Sequence, residues 1–171
     1  MFNLKNIMIA LKVIKILGYD VLKAISDIST FKGLEHRMEL VGTYKDITFF
    51  NDTIATIPEA TINACKTIDN LDTLIFGGQD RGIDYTDFAV DLENSNLSVI
   101  IGTKTTGHKI IDMMVENGTK KTLVKAENLE EAISKQNAAT SRSFGKRSKM
   151  KKVSSLTNRT ARNAYNKLEQ L

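Results

Sequence analysis

Short apolar segments alternate with helical segments over most of this chain, and this alternation restricts the possible folds more than any other feature. The segments that favour β-strands are residues 47–50, 73–76, 98–101 and 122–124. Helical spacing of apolar residues covers residues 58–68, 85–92 and 109–116, and a further helix opens near Leu129. Strands joined by helices in this way form right-handed crossovers. The sequence therefore predicts an α/β fold with a mainly parallel sheet and flanking helices.

Two helices and a strand pair are predicted before this alternation begins. Apolar residues recur at helical spacing from Leu4 to Leu17, and Gly18 ends the pattern as a C-cap residue would. A second helix is predicted over Val21–Ile28. Residues 38–44 and 47–50 are expected to form two strands joined by a tight turn. At 171 residues the chain is long enough for one domain with its own core.

The charge of the chain changes sign near Gln136. Residues 137–171 carry nine basic residues and one acidic residue, a net charge of +8. Residues 1–136 carry fifteen basic and nineteen acidic residues, a net charge of −4. Because the basic part is also poor in large apolar residues, we expect a basic tail that is disordered or loosely helical. Basic stretches bind nucleic-acid phosphates without specificity. Here, however, only Phe144 and Tyr165 are available to stack on bases.

Cysteine content and hydropathy indicate the compartment. Cys65 is the single cysteine, which excludes an internal disulfide framework. No apolar run approaches the length of a membrane span, and the first seventeen residues lack the small-residue cleavage site of a signal peptide. We therefore expect a cytoplasmic chain with no membrane partner.

Polar residues follow the second strand of the predicted pair. Asn51, Asp52 and Thr56 lie after its carboxyl end, which is the usual ligand-facing edge of an open α/β sheet. Thr56 and Glu59 have the spacing of a capping box, with Pro58 in the first helical turn. A capped helix after a strand is the simpler interpretation. The alternative is a ligand site, in which Asp52 accepts a hydrogen bond from a ribose hydroxyl and the helix N-terminus holds a carboxylate.

Three sequence blocks occur in a fixed order. Residues 31–39 read F-K-G-L-E-H-R-M-E, residues 51–56 read N-D-T-I-A-T, and residues 77–82 read G-G-Q-D-R-G. Together they resemble the carboxyl-terminal domain of the Mur ligases, and most closely the MurD-type glutamate ligases, whose blocks read F-x-G-L-x-H-R-x-E, N-D-S/T-x-A-T and G-G-x-D-x-G. The resemblance covers residues 3–136 and implies a Rossmann-like sheet.

The resemblance also implies three parts and a set of site residues. Residues 1–30 would be a remnant of a central-domain helix and linker, residues 31–136 the Mur ligase C-terminal-like domain, and residues 137–171 the basic tail. No residue is assigned to catalysis or to a metal. The residues expected to face ATP are Arg37, Asn51 and Asp52, and those expected to bind glutamate are Thr56 and Arg81.

Arg37 and Ile54 leave parts of this assignment open. Arginine supplies a planar, permanently charged fork that suits phosphate or carboxylate, but Arg37 could instead form a surface ion pair with Glu35 or Glu39. Ile54 departs from the family, because many MurD-type ligases carry lysine there. That departure leaves open which glutamate enantiomer the domain prefers.

The resemblance implies an ATP-dependent ligase of peptidoglycan precursor synthesis, with ATP and Mg²⁺ as cofactors and UDP-N-acetylmuramoyl-alanine and glutamate as substrates. The phosphate-loop pattern G-x-x-x-x-G-K-[ST] does not occur, and the stretch from Gly102 to Thr105 does not match it. We therefore expect a truncated or split ligase, inactive alone, that needs another chain to supply the missing domains. Because the resemblance stops within a helix, a reading-frame shift is the favoured origin of the tail.

A second class of function stays open. The chain could be a non-catalytic α/β binding module whose basic tail binds nucleic acid or a partner protein. Nucleic acid is the less favoured of these two partners, since the tail offers few aromatic residues.

Overall fold

The structure is a computed structural model that describes residues 2–44, 47–143 and 151–156. The chain divides into two compact units between Leu34 and Glu35. The first unit contains helix α1, Phe2–Ile16, and helix α2, Val21–Ile28. Gly18 follows α1 with φ of 79°, and Asp20 Oδ1 caps α2 by accepting from the Leu22 N–H at 2.8 Å. Both predicted helices are confirmed.

The described residues of the second unit form six strands and four helices. The strands are β1 (Glu39–Tyr44), β2 (Ile47–Asn51), β3 (Leu71–Gly77), β4 (Val99–Thr103), β5 (Thr122–Ala126) and β6 (Lys151–Leu156). The helices are α3 (Pro58–Thr67), α4 (Thr86–Glu93), α5 (Lys104–Glu116) and α6 (Leu129–Ser143). The predicted alternation of strands and helices is therefore confirmed, while the tight turn predicted between β1 and β2 includes residues outside those described.

One sheet holds all six strands in the order β1-β2-β6-β3-β4-β5. Only β1 and β2 pair antiparallel, and every other neighbouring pair is parallel. The crossovers through α3, α4 and α5 bring the carboxyl ends of β2, β3 and β4 to one edge of the sheet. Ligands of open α/β sheets bind at this edge.

Strand β6 differs from the expected disordered or loosely helical tail. Its residues Lys151–Leu156 lie between β2 and β3 and pair parallel with both. Neighbouring strands lie about 4.8 Å apart, so without β6 the facing edges of β2 and β3 would have no ladder partner within the sheet. Backbone pairing, not apolar periodicity, defines this strand. Residues 144–150 and 157–171 of the predicted tail lie outside the described residues.

The core lies on both faces of the sheet. One cluster joins α3, α4 and α5 to the sheet through side chains such as Leu74, Ile100 and Ile110, and Phe76 and Phe88 meet edge to face at 5.6 Å. The other packs Phe49, Ile75 and Ile101 against α6. Because strands buried on both faces read as continuous apolar runs, β3 and β4 were visible in the sequence. The core holds the carboxyl ends of these strands in place beside the cavity described next.

Candidate functional site

A cavity of about 520 Å³ opens where β3 and β4 end and α3 and α5 begin. Its wall comes from residues 53–61, residues 76–88 and the first two turns of α5. Among its described lining residues, Arg81 and Lys104 are basic and none is acidic. A positive cavity between two helix N-termini is complementary to an anionic ligand.

Thr56 lines this cavity from the segment before α3. The helix begins at Pro58, its N-cap is Ile57, and that cap makes no side-chain capping hydrogen bond. The predicted capping box is therefore wrong: Thr56 lies one residue before the cap, because Pro58 fixes the first helical position. Thr56 is exposed, so its hydroxyl is accessible to a ligand in the cavity.

The first glycine of the pair at the end of β3 has a packing role. A Cβ on Gly77 would lie 1.9 Å from the Thr103 carbonyl oxygen, and its φ is 153°. The Thr103 hydroxyl donates to the Phe76 carbonyl at 3.2 Å beside it. Gly78, in contrast, has nothing within 4 Å of an added Cβ. Gly77 thus lets the ends of β3 and β4 approach each other.

Arg81 lies in a loop that ion pairing joins to α5. Asp80 Oδ1 accepts from the Gly82 N–H at 2.9 Å, and Lys109 Nζ lies 3.1 Å from Asp80 Oδ2. The hydrogen bond from Gly82, with a further contribution from Lys109, lowers the pKa of the Asp80 carboxyl. Lys109 also lies 5.6 Å from the centre of the Tyr85 ring. These contacts hold the loop in place while the exposed Arg81 side chain lines the cavity.

The first turn of α5 is a part of the cavity wall that sequence reasoning missed. The helix was predicted to begin at residue 109, but it begins at Lys104, directly after β4. Lys104 has φ of 56°, and the Thr106 N–H donates to the Gly78 carbonyl at 3.2 Å. Lys104 and Thr106 both line the cavity. The available signal in the sequence was a strand followed directly by the run Lys104-Thr105-Thr106.

The three predicted ATP-facing residues lie together in a separate polar cluster around the β1–β2 pair. The Asn51 amide nitrogen lies 2.8 Å from His36 Nδ1 and donates to Glu39 Oε2 at 3.2 Å. Asp52 Oδ1 accepts from the Met38 N–H at 3.1 Å. Asn51 is 3% exposed and Asp52 is 5% exposed, whereas Arg37 is exposed.

Burial affects one titratable group in this cluster. Desolvation raises the pKa of the Asp52 carboxyl, and the Met38 hydrogen bond and the Arg37 charge oppose that rise. His36 and Met38 have positive φ of 64° and 49°, a conformation that non-glycine residues rarely adopt. The hydrogen bond from the Met38 N–H to Asp52 ties the backbone that carries Arg37 to the end of β2. Of the three predicted ATP-facing side chains, Arg37 is the one exposed to solvent.

The structure thus brings the predicted residues together as two groups. Thr56 and Arg81 share the cavity, and Arg37, Asn51 and Asp52 share the polar cluster. No group of three or more acidic, histidine or cysteine side chains suited to a metal ion occurs in the described part of the chain. The individual contacts with ATP and glutamate stay predictions.

The fold and the cavity define an α/β domain with an anion-complementary pocket at the carboxyl edge of its sheet. Residues 36–143 match the family described as Mur ligase, glutamate ligase domain. The chain belongs to the Mur ligase family, as its three sequence blocks indicated. In the described segments, no helix is both long and apolar enough to cross a membrane.

Similar curated proteins carry the name UDP-N-acetylmuramoylalanine–D-glutamate ligase. The protein from Desulfitobacterium hafniense (strain Y51) is 38% identical over 102 residues, covering 59% of this chain and 22% of the relative. The protein from Oenococcus oeni is 36% identical over 133 residues, covering 78% of this chain and 30% of the relative. The chain therefore spans less than a third of the length of these relatives.

Solved structures support the fold. The UDP-N-acetylmuramate-alanine ligase of Thermotoga maritima superposes with a TM-score of 0.70 at 18% identity, covering 99% of this chain and 37% of that protein. The MurF ligase of Thermotoga maritima, solved in complex with ADP, superposes with a TM-score of 0.60 at 18% identity, covering 94% and 37%. The predicted α/β fold of a Mur ligase C-terminal domain is confirmed.

Proposed function

We propose that this chain supplies the amino-acid-presenting domain of an ATP-dependent ligase that adds D-glutamate to UDP-N-acetylmuramoyl-alanine in peptidoglycan precursor synthesis. The observation that carries the proposal is the cavity lined by Thr56 and Arg81, in which the described lining residues include two cations and no acid. Glutamate brings two carboxylates to such a cavity. The names of the similar curated proteins support the same substrate.

Within this function the domain holds the amino acid and orients its amine. ATP, with Mg²⁺, supplies the phosphoryl group that activates the carboxylate of the acceptor. Arg81 binds one glutamate carboxylate through its guanidinium fork, and Thr56 donates a hydrogen bond from the segment before α3. Holding the amine in position converts an encounter between two molecules into a step within one complex. Arg37, supported by Asn51 and Asp52, contacts a nucleotide phosphate from the domain's other cluster.

The division of the chain follows from the same proposal. The predicted ligase domain of residues 31–136 is extended by strand β6, which lies within its sheet, residues 1–30 correspond to the end of a preceding domain, and residues 137–171 also supply a basic segment. The phosphate-loop pattern does not occur in the 171 residues, so activity requires an ATPase domain from elsewhere. A chain that meets that ATPase domain acts in the cytoplasm, where the nucleotide substrates are made.

Complementation tests the proposal. This chain is mixed with a separately expressed fragment that holds the remaining domains of the Oenococcus oeni relative, and glutamate-dependent ADP release is measured. We expect activity only when both parts are present. Arg81→Gln and Thr56→Val should each raise the KM for glutamate, about thirtyfold for the loss of a charged contact and about tenfold for the hydroxyl.

The control variant is Lys120→Gln, which removes an exposed lysine outside the cavity and should leave the KM unchanged. Arg37→Ala should raise the KM for ATP and not that for glutamate. An active mixture in which Arg81→Gln leaves the glutamate KM unchanged would contradict the assignment of the cavity.

A further inference from the structure

We propose that the first turn of α5 forms a second oxyanion contact in the cavity, made by the Thr106 hydroxyl and the Lys104 ammonium group. This inference rests on the proposed function, because it assigns the second carboxylate of glutamate to residues that neither the sequence blocks nor the comparisons single out. The chemical class is a carboxylate or phosphate oxyanion. Arg81 and Thr56 would hold the other end of the same ligand.

The unpaired hydroxyl of Thr106 is the first observation. Thr106 is 8% exposed, and its Oγ1 has no hydrogen-bond partner among the residues that the structure describes. Most buried polar side-chain atoms in proteins do have a partner. Thr106 lines the cavity, so an oxyanion bound there would supply the missing acceptor.

The helix terminus is the second observation. Helix α5 has thirteen residues, no acidic residue in its first turn and no side-chain capping hydrogen bond at Thr103. Its N-terminus therefore retains the positive end of the helix dipole without a carboxylate to neutralise it. Together with Thr106, this terminus provides both a donor and a favourable field for an anion.

The backbone of Lys104 is the third observation. Its φ of 56° belongs to the left-handed region, which costs free energy for a residue with a Cβ. This turn starts the helix directly after β4, without a loop, and Lys104 lies in the cavity wall. Close packing fixes the turn, because a Cβ on Gly102 would lie 2.3 Å from the Gly107 carbonyl oxygen. The charge is thus carried by a rigid element.

The loop of residues 77–82 connects the two ends of the cavity. The Gly78 carbonyl accepts from the Thr106 N–H at 3.2 Å, and Gly78 lies three residues before Arg81. A ligand with two oxyanions would therefore contact α5 and the loop at the same time. A ligand with one oxyanion would use either end alone and bind more weakly.

The test is a titration of the full chain, followed by amide chemical shifts in NMR spectra. D-glutamate, L-glutamate and inorganic phosphate are the probes, and the variants are Thr106→Val and Lys104→Gln. Thr105→Val is the matched control, because Thr105 lies in the same turn, is exposed and does not line this cavity.

We expect glutamate to shift the amides of Thr106 and Gly107 as well as that of Arg81. Thr106→Val should weaken glutamate binding about tenfold, as the loss of a hydrogen bond to a charged group does, and Lys104→Gln should weaken it severalfold. Thr105→Val should change the affinity less than about twofold.

Two results would overturn the inference. The first is a wild-type titration in which neither glutamate nor phosphate shifts the α5 amides, which needs no variant to fold. The second is a folded Thr106→Val variant that binds glutamate as tightly as Thr105→Val does. In that case Arg81→Gln would still weaken glutamate binding if the proposed function is correct.

The titration with inorganic phosphate distinguishes a site for phosphate from a site for the carboxylate of glutamate. If phosphate binding depends on Thr106 while neither glutamate enantiomer binds, the oxyanion contact is supported and the proposed glutamate function fails. Binding of glutamate that depends on Thr106, Lys104 and Arg81 supports both.

Discussion

At the scale of single residues, the conformation of this domain depends on a glycine that allows two strands to pack closely and on a buried carboxylate that is hydrogen-bonded. Gly77 is required because the ends of β3 and β4 leave no room for a Cβ. Asp52 is buried and bonded within its own cluster, so its carboxylate is held at a cost in desolvation. Arg81 was recognisable from its sequence block, whereas the role of Thr106 depends on a missing partner that only the structure reveals.

Replacing Gly77 with alanine should destabilise the fold. The new Cβ would meet the Thr103 carbonyl oxygen at 1.9 Å, and backbone cannot move aside as a flexible side chain would. We expect the free energy of unfolding to fall by about 3 kcal/mol, measured by urea denaturation. Gly78→Ala is the control, since nothing lies within 4 Å of its added Cβ, and it should change stability by about 0.5 kcal/mol or less. Equal losses would contradict the packing role of Gly77.

Asp52 should make stability depend on pH in one direction. Burial raises the pKa of its carboxyl above the ordinary value of 3.8, so in the window above that value the folded state binds more protons than the unfolded state. Stability from this group is therefore present at low pH and lost as pH rises through the folded-state pKa. The stability of Asp52→Asn relative to the wild type should therefore be greater at about pH 7 than at about pH 3.5. Urea denaturation of both proteins at both pH values measures this difference.

Asp80 provides a control of opposite sign. The pKa of its carboxyl is lowered, so the stability it contributes is present at neutral pH and lost as pH falls through the folded-state pKa. The stability of Asp80→Asn relative to the wild type should therefore be lower at neutral pH than at acid pH. If both variants changed in the same direction with pH, the burial argument for Asp52 would be wrong.

At the scale of elements, the sequence predicted the strands and helices whose apolar residues recur at a regular spacing. The buried strands β3 and β4 and helix α4 appeared in the sequence because apolar periodicity marks them. Strand β6 was missed, because its residues Lys151–Leu156 contain few apolar side chains and its partners β2 and β3 are far away in sequence. Helix α5 was predicted to start late, because its first turn is polar and follows β4 without a loop.

A proline in β6 should test the central position of that strand. Because β6 pairs on both sides, each of its N–H groups has a place in a ladder, and Val153→Pro removes one donor. We expect a loss of about 2 kcal/mol or more in the free energy of unfolding. Val153→Thr keeps both the N–H and the β-branched shape, so it should cost less than about 1 kcal/mol. Equal stability of the two variants would contradict pairing at this position.

At the scale of the whole molecule, function depends on how several elements meet at one edge of the sheet. The motifs around Thr56 and Arg81 predicted two of the cavity's contacts from sequence, because each block carries its own local signal. Helices α3 and α5 and the loop of residues 77–82 meet around one cavity because crossovers join distant segments. The lysine-threonine run after β4 was a local signal, but it did not show that Lys104 shares a cavity with Arg81. The chain covers less than a third of the length of its curated relatives. Glutamate binding in the cavity is the part of their activity that we propose for it.

The most direct test of that assignment is the identity of the amino acid that the domain adds. The matching segment of the Oenococcus oeni relative is replaced by this chain, and the chimera receives UDP-N-acetylmuramoyl-alanine, ATP and an equimolar mixture of D-glutamate, L-glutamate, alanine and lysine. Mass spectrometry and chiral analysis then identify the product. We predict incorporation of D-glutamate, reduced by Arg81→Gln. Incorporation of alanine or lysine by the folded chimera, or glutamate incorporation that does not depend on Arg81, would contradict this account.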